Sequence, residues 1–333
     1  MNVASKTALL LIVAIFCFDS SSQVKAAASR QEQPSVPQDQ KQKQKRRKST
    51  FGEAEPQPKG SLDELGFVDA HLHLNDVEMA RRFMSERGIA GAIVFWGRDS
   101  TNEDLAKAAK EQPGLFFPFY SISPERKAYR GAWDTVDLTL LEQVDAALAS
   151  GTFVGIGELS VTHFPSSTFP EASYGPLHPL ALGLFELARK HSVPVTVHCE
   201  ITDLEKFATM LDRFPDVAVI WAHGGYSPYV IAKRMLKAHP NLIYELSART
   251  WRHHPRSPEY TIYADDLNVW PCWLELIEAN SNRFIVGTDA ALHSLERSLG
   301  QATGVQRLLE QLTAETRQRV AFGNISRVLP DSD

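Results

Sequence analysis

The amino-acid sequence predicts an α/β fold, a (β/α)8 TIM barrel made by a single domain. From Gly66 onward, short apolar segments alternate regularly with amphipathic segments. Eight such pairs within about 265 residues match the size and the element order of a (β/α)8 barrel. The apolar segments are continuous runs without clean alternation, which is typical of parallel strands covered by helices.

The eight strands are expected at residues 67–74, 90–96, 114–122, 153–160, 193–200, 217–225, 241–248 and 283–290. The stretches between them have apolar residues three or four positions apart, as in VEMARRFMSERG and LGLFELARKHS, and this spacing predicts helices. An open doubly wound sheet is the alternative architecture. It normally has a glycine-rich turn after its first strand, where this chain has HLHL, so the barrel is favoured.

Residues 1–28 have the pattern of a secretory signal peptide. Lys6 supplies a positive charge, Ala8 to Phe18 is an unbroken apolar run, and Ala26 to Ala28 offer small residues for cleavage. Such a run is too short for a typical membrane span. An uncleaved anchor is the alternative. We therefore expect a protein exported to the periplasm or secreted, with no membrane span in its mature form.

Residues 29–60 are rich in Gln, Lys, Pro and Ser and have almost no large apolar side chains. A segment of this composition buries too little surface to offset its ordering entropy, so we expect a disordered linker before a barrel at 61–333. The first 60 residues hold ten basic and five acidic side chains, and the rest of the chain holds 25 and 35. An acidic barrel argues against nucleic acid and for a small-molecule substrate.

Ionisable side chains stand at the ends of five predicted strands, where catalytic sites of such barrels lie. They are His71, His73, Glu158, His198, His223 and Asp289. The first two are two positions apart, so their side chains point to the same face of the strand. Each group alone has an ordinary structural explanation, but burying all six without a cation would be costly.

The pattern therefore predicts a divalent metal site. Imidazole and carboxylate ligands without a thiolate suit zinc best here, with manganese or iron as the other choices.

The ordered set of motifs resembles the amidohydrolase superfamily of metal-dependent barrels. The segments IWAHGG, FIVGTDA and FGNISRVL are most similar to its amidohydrolase-related branch, which includes aminocarboxymuconate-semialdehyde decarboxylase. The resemblance covers about residues 66–329. It implies that His71, His73, His198 and Asp289 hold the metal, and that His223 orients or activates water or binds the substrate.

Glu158, in VGIGEL, departs from the pattern of that branch. A glutamate on the fourth strand is similar to the TatD-like branch, where such a residue bridges two metals. In that case His223 would be a ligand of the second ion. The sequence thus leaves one or two metal ions open.

The function expected from these residues is metal-dependent hydrolysis of an amide, ester or lactone bond of a small substrate, by a metal-activated water. Asp289 would accept the proton of the water and pass it on, and His223 would stabilise the developing oxyanion when it is not a ligand. The alternatives are a metal-dependent non-oxidative decarboxylase, a TatD-like nuclease, and a non-enzymatic metal-binding protein.

Substrate-binding residues are expected in the long segment 248–270, which is dense in arginine, histidine and aromatic residues. The candidates are Arg249, Trp251 and Arg252. Arg249 would clamp a carboxylate with its planar fork or form an ion pair with Glu245. Glu245 itself is expected to face the barrel interior.

Three further expectations concern the surroundings of the site. Asp69 is expected to orient a metal-bound histidine ring as a hydrogen-bond acceptor. The proline-rich segment 162–179 is expected to form a lid, with His163 and His178 on the surface.

Overall fold

The computed structural model describes residues 65–165, 171–265 and 267–329. The strands are β1 (Phe67–Leu74), β2 (Ile89–Trp96), β3 (Phe116–Tyr120), β4 (Gly155–His163), β5 (Ala172–Ser173), β6 (Val195–Cys199), β7 (Val219–Trp221), β8 (Leu242–Glu245), β9 (Tyr263–Asp265), β10 (Asn268–Val269) and β11 (Phe284–Ile285). The α-helices are α1 (Val77–Glu86), α2 (Asn102–Glu111), α3 (Lys127–Thr135), α4 (Leu140–Ala149), α5 (Pro179–His191), α6 (Leu204–Arg213), α7 (Tyr229–Ala238), α8 (Pro271–Ala279), α9 (Leu295–Gln311), α10 (Ala314–Gln318) and α11 (Asn324–Ser326). The signal peptide and linker predicted at residues 1–60 lie outside the described residues.

Eight of these strands pair in parallel in the order β1-β2-β3-β4-β6-β7-β8-β11. The chain after β11 then closes the sheet against β1. The backbone N–H of Ala70 donates to the carbonyl of Val286 at 2.9 Å, and that of His73 donates to Ala290 at 3.0 Å. An open doubly wound sheet would leave these two edges apart, so the prediction of a single-domain (β/α)8 barrel is confirmed.

The strand predicted at 283–290 is regular only over Phe284–Ile285. Asp289, four residues further on, has a φ of +55°, in the left-handed region, which is outside the range of strand backbone. Its backbone N–H still donates to the carbonyl of His71 at 2.8 Å. The segment therefore keeps its contact with β1 although it is not a continuous strand.

Helices cover the outside of the barrel because each has one apolar face. In α6, the buried residues Leu204, Phe207, Met210 and Leu211 recur at three- and four-residue spacing, which aligns them on one side of the helix. They belong to the large apolar cluster between helices and strands. A second, smaller apolar cluster includes Phe95, whose ring lies 4.8 Å from that of His71. Within the described ranges, none of the helices combines the length and apolar character needed to cross a membrane.

Two short antiparallel strand pairs lie outside the parallel order of the barrel. β5 pairs with the end of β4, and β10 pairs with β9 inside the long connection from β8 to α8. The predicted lid at 162–179 therefore begins as a small hairpin, and its residues 166–170 lie outside the described residues. Both cysteines of the described chain, Cys199 and Cys272, are free thiols.

Candidate metal centre

The structure brings the six predicted strand-end groups into one cluster at the carboxyl end of the barrel. Glu158 of β4 lies at its centre, and its two carboxylate oxygens face different partners. Oε2 lies 3.3 Å from His71 Nε2 and 3.7 Å from His73 Nε2. Oε1 lies 3.0 Å from His198 Nδ1 and 3.5 Å from His223 Nε2.

The groups around Oε2 form what we call the first ligand set: His71, His73, Asp289 and this oxygen of Glu158. Asp289 Oδ1 completes it, 3.3 Å from His73 Nε2 and 3.8 Å from His71 Nε2. Four ligand atoms that converge in this way can surround a single ion. Because His71 and His73 both take part, the same-face geometry predicted from their two-residue spacing is confirmed.

The groups around Oε1 form the second ligand set: His198, His223 and this oxygen of Glu158. Their ligand atoms lie within 4.8 Å of one another. The side chains of both histidines are only 4% exposed, whereas those of Asp289 and His73 are 19% and 22% exposed. The cluster is therefore open to solvent on the side of the first set.

Two of the four imidazoles donate their outward N–H to a main-chain carbonyl. His73 Nδ1 lies 2.9 Å from the carbonyl oxygen of Trp96, and His223 Nδ1 lies 3.1 Å from that of Ser247. A carbonyl oxygen only accepts, so Nδ1 carries the proton in both rings. In each ring Nε2 is then the atom that faces Glu158.

The other two imidazoles have a carboxylate as their outer partner. His71 Nδ1 lies 3.4 Å from Glu245 Oε2, and His198 Nε2 lies 3.3 Å from Glu200 Oε1. Each of the four rings thus has one nitrogen that faces Glu158 and another that faces a hydrogen-bond acceptor away from the cluster centre. An outer hydrogen bond that fixes the tautomer and aims the other nitrogen inward is typical of metal-binding histidines.

The pKa values show how strongly the cluster attracts positive charge. Burial would raise the pKa of Glu158, but the facing imidazoles hold it well below the ordinary range. Burial would lower the pKa of His71 and His198, but the Glu158 carboxylate outweighs it, so the pKa of His71 lies well above its usual value and that of His198 rises to about 10. Without a metal, protons on the rings balance the negative charge of the carboxylates. A divalent cation bound between the same groups could balance that charge instead.

A metal also fits a buried atom of this cluster. His71 Nε2 is shielded from solvent, and no well-directed hydrogen bond reaches it among the described residues, although Glu158 Oε2 lies 3.3 Å away. A buried polar nitrogen without a directed partner costs free energy. His71 Nε2 points at the carboxylates of the first ligand set. Nitrogen and oxygen donors at this spacing suit zinc, manganese or iron.

The turn after β7 delivers His223 in an unusual backbone conformation. His223 has a φ of +54°, and the next residues, Gly224 and Gly225, are also left-handed. A Cβ on Gly224 would come within 1.8 Å of the Tyr244 ring, so only glycine fits there. The segment IWAHGG, predicted as the end of a strand, thus holds only the last two residues of β7, Ile220 and Trp221, and continues as a tight turn.

Glu245 faces the barrel interior as predicted, and it replaces Asp69 as the carboxylate that orients a ring. It is fully buried and accepts from the backbone N–H groups of His223 and Ser247 as well as facing His71. Asp69 accepts instead from the backbone N–H of His71 and from the backbone N–H and hydroxyl of Thr288. The expectation that Asp69 orients an imidazole is therefore wrong, and its hydrogen bonds join β1 to the segment after β11.

The prediction that Arg249 clamps a substrate carboxylate does not agree with its position. The residue is 1% exposed and lies behind the cluster, where Nη1 donates to the Ser227 carbonyl at 3.0 Å and to the Tyr244 hydroxyl at 2.9 Å. Its guanidinium also lies over the Trp273 ring. Arg249 is therefore a buried structural residue that joins the turn after β7 to β8 and α8.

The other two predicted substrate-binding residues occupy different positions. Trp251 is half-buried, and its indole N–H donates to the carbonyl of Thr288, next to Asp289. Arg252 is exposed and lines a surface pocket together with Trp270. Only Trp251 is therefore brought beside the first ligand set by a described hydrogen bond.

Sequence reasoning missed four charged or histidine residues that surround the cluster. They are Glu125, His163, Glu200 and Arg256. Glu200 follows His198 by two residues, and that spacing could have revealed it. His163 was expected on the surface but is 7% exposed, with its ring 4.6 Å from that of His198.

Fold and site together define a metal-dependent TIM-barrel enzyme of the amidohydrolase-related superfamily. The family model described as Amidohydrolase matches residues 68–330. The chain therefore belongs to the amidohydrolase family. The comparison with curated proteins gave no match.

Several solved structures share the fold. A probable 2-pyrone-4,6-dicarboxylic acid hydrolase from Acinetobacter baumannii is 10% identical, with 79% of this chain and 98% of that chain covered and a TM-score of 0.54. A 2,6-dihydroxybenzoate decarboxylase from Rhizobium is 12% identical, with coverages of 79% and 98% and a TM-score of 0.52. A 5-carboxyvanillate decarboxylase from Novosphingobium aromaticivorans, solved with bound manganese, is 12% identical, with coverages of 76% and 81% and a TM-score of 0.50. At these identities the similarity is one of fold.

Proposed function

We propose that the protein is a hydrolase that uses a metal-activated water to cleave an amide, ester or lactone bond of a small substrate. The observation that carries this proposal is the position of Glu158, whose two oxygens face two separate ligand sets. A carboxylate placed in this way can bridge two ions, and pairs of ions about 3.5–4 Å apart are common in hydrolytic sites. Both ligand sets have imidazole nitrogens aimed at that carboxylate.

His71, His73 and Asp289 would hold one ion, His198 and His223 the other, and Glu158 both. Zinc is the ion we propose, with manganese or iron as alternatives. When bound, such an ion lowers the pKa of water toward about 7 and polarises a carbonyl oxygen. In this arrangement His223 would be a ligand, and it would not be the residue that stabilises the oxyanion.

Asp289 is placed to move the proton of the attacking water. Its carboxylate is one of the more exposed groups of the cluster, and the facing His73 imidazole, despite the opposing effect of burial, holds its pKa below the ordinary value. It therefore remains a base at neutral pH. A carboxylate at hydrogen-bond distance from the reacting atoms can accept a proton and return it to the leaving group.

The proposal is tested by a substrate screen with protein reconstituted with zinc, manganese or iron. The panel contains esters, lactones and N-acyl amino acids, and release of carbon dioxide from aromatic carboxylates is followed in parallel. Hydrolysis that disappears on chelation and in Glu158→Gln is the expected result. Metal-dependent release of carbon dioxide without hydrolysis would favour the decarboxylase alternative, which needs the same ligands, and cleavage of single-stranded DNA would favour the nuclease.

We also propose that the protein is exported, on the basis of residues 1–28 and the polar segment that follows them. Expression in a bacterial host, fractionation and mass measurement of the product test this proposal. A periplasmic or secreted product that starts near Ser29 is expected. A full-length product in the cytoplasmic fraction would contradict it.

A further inference from the structure

Arg256 crosses the mouth of the barrel from the connection between β8 and α8. Its Nη1 donates to Glu200 Oε1 at 3.2 Å, directly after β6. Its Nη2 lies 3.1 Å from His163 Nε2 and 3.4 Å from the carbonyl of Phe164, at the end of β4. One guanidinium thus joins three connections that are distant in sequence.

Glu200 links Arg256 to His198 of the second ligand set. It is 1% exposed, and the same oxygen that accepts from Arg256 also lies 3.3 Å from His198 Nε2. A carboxylate accepts but does not donate at neutral pH, so it holds the proton of His198 on Nε2 and leaves Nδ1 facing Glu158. A buried carboxylate needs charged partners, and the Arg256 guanidinium supplies one at 3.2 Å.

The same segment also covers the second histidine of the second ligand set. Tyr226 stacks on the His223 ring with centroids 5.2 Å apart and an interplanar angle of 17°. Tyr260 stacks on Tyr226 with ring centroids 4.5 Å apart, and His254 meets Tyr226 edge-on at 4.9 Å. The segment 254–260 therefore contacts His198 through Glu200 and His223 through Tyr226.

We propose that Arg256 and Glu200 are positioning residues for the second ligand set. Arg256 holds the Glu200 carboxylate in place, and Glu200 fixes the tautomer of His198 so that Nδ1 is available to the ion. This inference rests on the proposed function, because it requires that His198 binds a metal. It adds that the segment 254–260 and the affinity for that ion are coupled.

The test compares zinc affinity, measured by competition with a chelator, in the full chain and in Arg256→Gln, Glu200→Gln and the double variant. The ion that depends on His198 is identified as the one lost in His198→Asn. Glu200→Gln should weaken binding of that ion by about 10- to 100-fold, as the loss of an outer hydrogen-bond partner of a ligand typically does. Arg256→Gln, which removes the partner of Glu200, should weaken the binding measurably but by less. Because Arg256 acts through Glu200, the double variant should be little worse than Glu200→Gln alone.

A matched control is available in the pair Arg234 and Glu205. Their contact of 3.5 Å joins two exposed side chains, 57% and 90% exposed, on α7 and α6. Arg234→Gln removes one such ion pair without touching the cluster and should leave zinc affinity unchanged. A second readout is the NMR signal of ¹⁵N-labelled histidine in the cadmium-loaded protein, where His198 should bind through Nδ1 and keep its proton on Nε2.

Several outcomes would overturn the inference. Unchanged affinity in Arg256→Gln, additive effects in the double variant, or no ion lost in His198→Asn would each do so. An increased KM with unchanged zinc affinity would assign Arg256 to the substrate instead. Failure of the wild-type chain to bind any divalent metal is a different result, since it would refute the proposed function itself.

Discussion

At the scale of a single residue, Asp289 combines a left-handed backbone conformation with a carboxylate that faces His73. Its φ of +55° is rare for a residue with a side chain, and such conformations concentrate at functional sites, where the surrounding structure compensates their cost. The compensation here is visible, because its N–H donates to the His71 carbonyl. The strained backbone places the carboxylate against His73, on the open side of the cluster.

Asp289→Asn tests the proton-transfer role directly. The amide keeps an oxygen that can contact the ion, so metal should be partly retained. Turnover should fall by about 100- to 10,000-fold, the range typical for loss of a general acid–base group. Metal content and kcat are measured on the same preparation, and survival of activity would show that another group carries the proton.

Glu125 presents a second effect at the residue scale. Burial, with the negative charge of Glu158, raises the pKa of Glu125 from 4.5 to about 7, although its side chain is 15% exposed and faces His163 at 3.6 Å. A carboxyl with a raised pKa binds its proton more tightly in the folded state. Its contribution to stability is therefore present below about pH 4.5 and is lost as the pH rises to about 7.

Glu125→Gln should remove this pH dependence. Relative to the wild type, the metal-free variant should gain about 1 to 3 kcal/mol in free energy of unfolding between pH 5 and pH 8, since one pKa unit corresponds to about 1.4 kcal/mol. Urea unfolding at the two pH values measures it. Glu78→Gln, at an 81% exposed side chain on α1, is the control, and an equal change in both variants would refute the assignment.

At the scale of elements, α9 packs closely on the connection that carries Trp251. A Cβ on Gly304 would lie 1.9 Å from the carbonyl oxygen of Thr250, whereas nothing lies within 4 Å of one on Gly300 of the same helix. The Tyr263 hydroxyl also donates to the Gly304 carbonyl at 2.5 Å. The two glycines therefore have different surroundings although they lie four residues apart in the same helix, Gly304 buried and Gly300 exposed.

Gly304→Ala should destabilise the protein by about 1 to 3 kcal/mol, because a backbone carbonyl cannot move away as easily as a side chain. Gly300→Ala should instead stabilise it by about 0.5 to 1 kcal/mol through helix propensity. Thermal unfolding of both variants measures the difference. Equal melting temperatures would mean that the contact with Thr250 yields without cost.

The elements also show which parts of the site a sequence can reveal. Strand-end residues such as His71 and Asp289 were predictable, because parallel strands bring their carboxyl ends to one rim. The role of Arg256 was not predictable, since its partners Glu200 and His163 are 56 and 93 residues away. Connections between strands have no periodicity from which a side-chain direction follows.

At the scale of the whole molecule, the barrel and the identity of the cluster followed from the order of the segments. The burial of Arg249 did not, because two-residue alternation from Glu245 predicts a position at the mouth. The chain leaves β8 at Glu245 and turns, with Ala248 in a left-handed conformation, which sends Arg249 behind His223. Alternation holds only while the strand continues.

The division of the cluster into two ligand sets was open in the sequence, which was compatible with one ion or two. The structure shows Glu158 between the sets, with one oxygen toward each. Two ions bound in this way would share a ligand whose removal should affect both the count and the reaction. Substitution of Glu158 therefore distinguishes a centre of two bridged ions from two independent sites or a single ion.

The metal content of the purified full chain, determined by elemental analysis after dialysis without chelator, is the decisive measurement for a metal centre bridged by Glu158. We predict two divalent ions per wild-type chain and loss of one equivalent in Glu158→Gln, with Glu78→Gln unchanged. A wild-type chain that binds no divalent metal would contradict the account. Unchanged metal content in Glu158→Gln would contradict the bridging role of Glu158.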